Sequence, residues 1–366
     1  MENIENKTVK LNFAAIGQVL EDNIITNVQK EIKGKDYVQY GDRNIYPTYL
    51  WDLYNNVSVL KSIITGLANC FDNIAIHNEF SFQINLKGQT VEDVAKQIIL
   101  DYFVYGGFAL NIVRNNKGGI QSIYNIDFKN IRSNKKNTKF YYSEDWAEKS
   151  VGRVQTVSYP VFDPKATDPS SIYYFKNELY RTYPSPVWGG AVMSAEVLRN
   201  ISQFNLNSLH NGLSSDYIVN FNAGKPTPEA QKEIEETFDE KYAGFQNCRP
   251  MLSFNNDFQH RTTVEAIPQT SYAEKYSALE KTSKQDIYCA FNMNPALLGL
   301  PMDGTGFNDN DIRESWKIAM ELVFKPVLKV VKRAFEYIFQ TPEVLDITVI
   351  DIDFDNAGSN SKEEVQ

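Results

Sequence analysis

The sequence predicts an α+β protein: a mixed α/β body, two helices of matching length around a small α/β insert, and a long helix interrupted by a proline. Three observations predict it. Strand-like alternation and a hairpin signal fill much of the first half, whereas three- and four-residue apolar spacing dominates the second. Segments 194–213 and 272–291 each read as helices of ~30 Å, with a compact strand–helix–strand stretch between them. The length of 366 residues exceeds one ordinary domain and fits two to four structural units.

The elements follow in order. Aromatic residues Tyr37, Tyr40, Tyr46, Tyr49, Trp51 and Tyr54 punctuate the first 60 positions. VSVLKSIITGLANCF, from Val57, has helical spacing, and FSFQINLKG (80–88) alternates like a strand. Thr90 opens TVED, a capping box with Asp93 in the place of Glu, ahead of the helix VAKQIILDYFVY that Gly106-Gly107 ends. FALNIVRN and GIQSIYNI are joined by Asn115-Asn116-Lys117-Gly118-Gly119, a hairpin signal. Further strands are expected between 139 and 180, separated by Pro160, Pro164 and Pro169.

After the Pro/Gly-rich TYPSPVWGGAVMS the chain reads as a helix to Leu213, then strand 217–221, turn NAGKP, a helix from Thr227 to Tyr242, and strands MLSF and TTVEAI. The two long helices thus form an antiparallel stalk with a small head at its tip. A glycine-rich apolar loop, NPALLGLPMDGTGFNDN, precedes a helix expected from Asp311 to Phe339. Pro326 lacks the amide to continue its ladder and should kink that helix. ITVIDIDFD then alternates as a strand, and 357–366 reads as a frayed polar tail.

Composition narrows function. With 42% hydrophobic and 23% charged residues a sizeable core can form. Aromatics at 13% exceed what a bare core needs; they suit surfaces that meet surfaces, although an AT-rich coding genome gives the same bias. The net charge of −9 argues against tight DNA binding by the whole chain. Cys70, Cys248 and Cys289 form neither a disulfide framework nor a CxxC pair, which predicts a reducing compartment. The N-terminus lacks the plan of a signal peptide and no apolar run reaches ~18 residues, so a soluble intracellular protein with no membrane partner is expected.

Catalytic motifs are absent from the sequence. His77, His210 and His260 are isolated, and no GxSxG elbow occurs. NAGKPT fails as a phosphate loop, because Val219 stands where the first glycine belongs and Pro226 follows the lysine. Asp351, Asp353 and Asp355 resemble the start of a calcium loop. Asn356 and Lys362 replace its glycine and glutamate, so a solvated strand face explains them better. No cofactor or metal is expected. The loop at 294–310 is the exception to this silence: long, glycine-rich and apolar, it suits a moving functional segment.

From Asp101 onward the sequence resembles the portal proteins of tailed bacteriophages, most closely the branch with the HK97-type capsid. YFVYGGFALNIVRNNKGGIQSIYNI is similar to that family's helix-end glycine, strand and hairpin, with Asp127 near where a proline is frequent. IYCAFNMNPALLGLP carries the family's pattern at Phe291, Pro295, Leu297, Leu298 and Gly299, with Asn294 where a first proline is common. IRESWKIAMELVFKPVLKVVKRAFEYIF resembles its long wing helix, internal proline included, and ITVIDIDFD its following strand.

The resemblance implies a portal fold. Residues 1–193 and 311–356 would form the wing, 194–213 and 271–293 the stem helices, 214–270 the clip and 294–310 the tunnel loop. About ten residues follow Asp355, so no full crown is expected. It implies a homo-oligomeric ring, usually a dodecamer, in the virion at the capsid vertex and in the host cytoplasm during assembly. Its partners would be the major capsid protein, the large terminase, a head–tail adaptor and double-stranded DNA passing without tight sequence-specific binding. Pro295, Gly299, Asp303, Gly304, Gly306, Phe307, Asn308 and Asp309 would line the channel. Lys275, Lys281 and Lys284, at roughly helical spacing, could face DNA from the stem or equally be solvated or pair between subunits. Twelve copies at −9 would carry −108, a wall that does not clasp phosphate. The alternatives are a cytosolic enzyme whose active-site loop is 294–310, and a head–tail connector ring.

Overall fold

The computed structural model describes residues 25–76, 83–147, 154–210, 218–221, 226–234, 251–254, 270–298 and 309–350. It divides into a larger unit, Met1–Met193 with Asp286–Gln366, and a smaller one, Ser194–Gln285.

In the larger unit, α1 (Tyr46–Asn56) and α2 (Ser58–Asn69) lead into β3 (Phe71–Ile76) and then α3 (Val91–Tyr105), the central helix of the core. The start of α3 is a complete capping box: Thr90 Oγ1 accepts from the Asp93 amide at 3.2 Å, and Asp93 Oδ2 accepts from the Thr90 amide at 2.8 Å. Those bonds hold the Asp93 carboxyl below the usual carboxylate range. Val91, Val94, Ala95, Ile98, Ile99, Phe103 and Val104 bury its apolar stripe, and α3 packs on α2 and β3. Gly106 ends the helix in the left-handed region at φ 79°, and a Cβ there would stand 2.1 Å from the Ser185 carbonyl oxygen.

The hairpin forms where expected. β4 (Gly107–Arg114) pairs antiparallel with β5 (Ile120–Ile126) on one side and β9 (Ser170–Lys176) on the other, in the order β5-β4-β9. A second sheet joins β6 (Ile131–Ser133), β7 (Lys139–Tyr142) and β8 (Val157–Pro160). β12 (Leu345–Val349) returns beside β3 through a bulge, and β1 (Gln29–Glu31) pairs with β2 (Val38–Tyr40). β12 covers only the start of ITVIDIDFD; Asp351, Asp353, Asp355 and the tail lie outside the described residues.

Two expectations need correction. Residues 83–88 are a turn rather than a strand: Asn85 Oδ1 accepts from the amides of Lys87 and Gln89, and only Gln83 bridges to Thr90. Several tyrosines of the aromatic surplus belong to the core instead of a surface. Tyr40, Tyr105 and Tyr183 are almost fully buried, and the Tyr40 and Tyr183 rings stack at 4.1 Å. Their hydroxyls find carbonyls: Tyr40 donates to Pro184 and Tyr183 to Val38. Beside them lies Arg132, fully buried and without a carboxylate partner among the described residues. Its guanidinium donates to the Asn44 side chain and carbonyl and to the carbonyls of Lys129 and Ile131. Burial lowers its pKa to about 10.

The smaller unit has α4 (Val192–His210) entering it and α5 (Thr270–Ala290) leaving it. Between them β10 (Ile218–Phe221) and β11 (Met251–Phe254) pair in parallel. Parallel neighbours need a crossover, and helical residues 228–234 lie in the intervening segment. TTVEAI lies outside the described residues.

Candidate functional site

The candidate site lies where α5 ends and the long helix begins. Ser283, Ile287 and Phe291 recur at four residues and are buried, so α5 has one inward face. It closes on Asn292, which takes the left-handed conformation (φ 51°) usually given to glycine. The Asn292 amide donates to Cys289 O at 3.1 Å and the Met293 amide to Tyr288 O at 3.2 Å, the paired bonds of a Schellman motif, with Met293 buried behind them.

Asn294 then turns the chain. Its carbonyl accepts from the Leu297 amide, starting the 3-10 turn Pro295–Leu298, and its side-chain amide donates to Ser315 Oγ at 2.8 Å. That turn packs on α2 and on α6 (Asp309–Ala319). Asn294, which departs from the proline common in the resembling family, is therefore a clip between the turn and the next helix.

The candidate loop residues separate accordingly. Pro295 sits in the 3-10 turn, and Asp309 is the first residue of α6, two positions before the expected start of that helix. Gly299, Asp303, Gly304, Gly306, Phe307 and Asn308 lie outside the described residues.

The helix continues through a π turn, Met320–Phe324, into α7 (Lys325–Phe339). Pro326 sits in the first turn of α7, immediately after the π turn, where the Lys325 amide donates to Met320 O. The expected irregularity at Pro326 therefore takes the form of a widened turn. Val323, Phe324, Val327, Val331, Ala334, Phe335 and Ile338 face inward, and Phe324 meets the Phe71 ring edge-on at 5.6 Å.

The three stem lysines do not share a face. At ~100° per residue, positions 281 and 284 lie about 60° apart, whereas position 275 falls about half a turn round α5 from 284. Lys284 also pairs with Glu280 at 2.6 Å, the favourable order of an i,i+4 pair. Lys281 is exposed, and nothing is described of the Lys275 side chain.

Two features escaped the sequence reading. Asp101, on the apolar stripe of α3, is buried with Asn125 Nδ2 donating to it at 2.9 Å. Burial pushes its carboxyl up to about 8; Asp127 nearby adds to the rise. Its signal was the i, i+4, i+7 spacing with Val94 and Ile98. The second is the outward face of α7, where Lys325, Lys329, Lys332 and Arg333 recur at four, three and one residues, a spacing readable in KPVLKVVKRAF. Among the described residues no helix is long and apolar enough to cross a membrane, and no His/Cys/Asp/Glu group could hold a metal.

No curated protein sequence matches the chain significantly. Among solved structures, a chain in the virion of a native gene transfer agent particle is 15% identical with a TM-score of 0.52, covering 85% of this chain and 84% of that one. An HK97 family phage portal protein from Corynebacterium diphtheriae is 11% identical with a TM-score of 0.47, covering 82% and 94%. The first likeness shows a shared fold. The family model for phage portal proteins matches residues 86–356, from before α3 through the whole smaller unit to the end of the long helix and β12. That match spans about three quarters of the sequence, and the chain belongs to the phage portal protein family.

Proposed function

We propose that this portal-family chain closes into a ring, of twelve copies in the particle, at one capsid vertex, and that the ring conducts double-stranded DNA during packaging and ejection. Residues 1–193 and 311–356 are the wing, 194–213 and 271–293 the stem, 214–270 the clip, and 294–310 the tunnel loop. The large terminase, the head–tail adaptor and the major capsid protein dock on the ring, which assembles in the host cytoplasm and ends in the virion. The observation that carries the reading is the family match running unbroken across the smaller unit and both of its helices.

The family is one of structural components, and the chain itself catalyses nothing in this reading; the energy for packaging comes from a partner. The test is negative-stain imaging and sizing of purified protein, expected to give rings of roughly half a megadalton without ATPase activity. A monodisperse monomer at micromolar concentration in low salt refutes the ring.

A further inference from the structure

We propose that the outward face of α7 is a contact for the sugar–phosphate backbone of duplex DNA, read through charge alone. The proposal rests on the ring's handling of DNA and adds where the protein touches it. Between Lys325 and Phe335 the sequence has four cations and no acid, in a chain whose net charge is −9. On the helix, positions 325, 329 and 332 fall within about 60° of one another and 333 about 40° further round. They lie opposite Val327, Val331, Ala334 and Ile338, which are buried, so the packing of the core fixes the basic face outward.

The cations differ in how they are satisfied. Lys325 pairs with Glu321 one turn back. Lys329, Lys332 and Arg333 form no ion pair among the described residues, although other lysines of this helix pair and of α5 do. Their nearest acid on that face, Glu336, instead accepts the Glu343 amide at 3.2 Å. Three cations without an ion pair among the described residues, spread over ~6 Å of a rigid helix on an acidic protein, are complementary to a polyanion. A backbone carrying a charge every ~1.7 Å of duplex supplies several phosphates within that reach. The apolar residues Ile318 and Leu322, exposed on α6 and the π turn, lie upstream of the cations and are no part of the contact.

The test measures binding of a fluorescent 30-base-pair duplex to the full chain between 50 and 200 mM salt, with assembly state recorded on the same samples. Three phosphates neutralised predict a log–log salt slope near −2.7, or an affinity loss of roughly 40-fold over that range. The triple variant K329Q/K332Q/R333Q should bind at least tenfold more weakly at 50 mM salt and flatten the slope, while its rings persist. The control K30Q/K33Q/K35Q removes the same charge from exposed lysines interleaved with Glu31 and Asp36, and should bind as the parent does. No binding by the parent, equal loss in variant and control, or binding unchanged in the variant overturns the proposal. Rings that fall apart only in the variant also overturn it, because they assign the face to a second copy of the chain. Absence of rings in the parent removes the ring reading alone, since the comparison of parent with variant still reads the face.

Discussion

Replacing Asp101 by Asn should stabilise the larger unit, and by an amount that depends on pH. The carboxyl is buried in α3, and burial raises its pKa from 3.8 to about 8. Below pH ~4 it is protonated in both folded and unfolded chains and costs nothing extra. Above that the unfolded chain releases the proton while the native state holds it, so stability falls with rising pH until about 8 and then levels. Each pH unit in that window is worth ~1.36 kcal/mol, which puts the cost at pH 7 near 4 kcal/mol as an upper bound. Asn keeps the shape and can still accept from Asn125 Nδ2. Its new amide also has acceptors to hand, because Asn125 Oδ1 and the Tyr105 hydroxyl are buried without a partner among the described residues. Urea unfolding followed by tryptophan fluorescence at pH 5 and pH 8.5 is the assay. The gain of D101N over the parent should be small at pH 5 and grow by about 2–4 kcal/mol at pH 8.5. An equal difference at both pH values would show that Asp101 keeps an ordinary pKa, and the burial argument would fail.

Gly106→Ala should cost about 2–4 kcal/mol, visible in thermal unfolding, because the residue would need both the left-handed conformation and a 2.1 Å approach to Ser185 O. Asn294→Ala should cost about 1 kcal/mol and speed hydrogen exchange at the Leu297 amide, since the clip to Ser315 is lost; unchanged exchange would show that the 3-10 turn stands on its own packing. Deleting Leu322 should convert the π turn to regular α-helix with helical circular dichroism retained, but at a cost of about 3 kcal/mol seen as a lowered melting temperature, because Pro326 then sits in regular helix without relief; an unchanged melting temperature would contradict it.

How far the sequence reached depended on the range of the interactions involved. The capping box at Thr90, the left-handed helix end at Gly106 and the Asn115–Gly119 turn were legible because their cap and turn hydrogen bonds close within five residues. Residues 83–88 of FSFQINLKG misled for a local reason: the segment alternates like a strand, but Asn85 offers its side chain to two nearby amides and curls the backbone there; residues 80–82 lie outside the described residues. The burial of Tyr40 and Tyr183 was not legible, for the opposite reason. Their burial depends on Pro184, Val38 and Arg132, about 90 to 145 positions distant, and no local pattern distinguishes a tyrosine that finds such a carbonyl from one that faces a neighbour. At the site, Asn292 caps α5 where glycine is the usual residue. Asn tolerates the same conformation, so the Schellman bonds form without it.

Pro326 shows how one residue couples the helix to the site. An ordinary α-helix would ask position 326 for an amide it lacks and would press the ring on the preceding turn. The π turn at Met320–Phe324 relieves this by taking one extra residue into the turn, which rotates everything upstream by about one residue's step, ~100°, relative to α7. That rotation brings Ala319 onto the buried face continued by Val323 and Val327, and brings Trp316 against the Phe324 ring at 5.3 Å. It also sets Ser315 toward the 3-10 turn, where Asn294 reaches it. Without the extra residue's rotation, the α7 face and the Asn294 clip would demand different phases of one helix. Deleting Leu322 removes the inserted residue itself, so both faces keep the phase that the π turn gives them, and the cost that remains is that of Pro326 in regular helix. The two segments that flank 299–308 are therefore fixed from both sides, by the Schellman end of α5 and by the phase of α6.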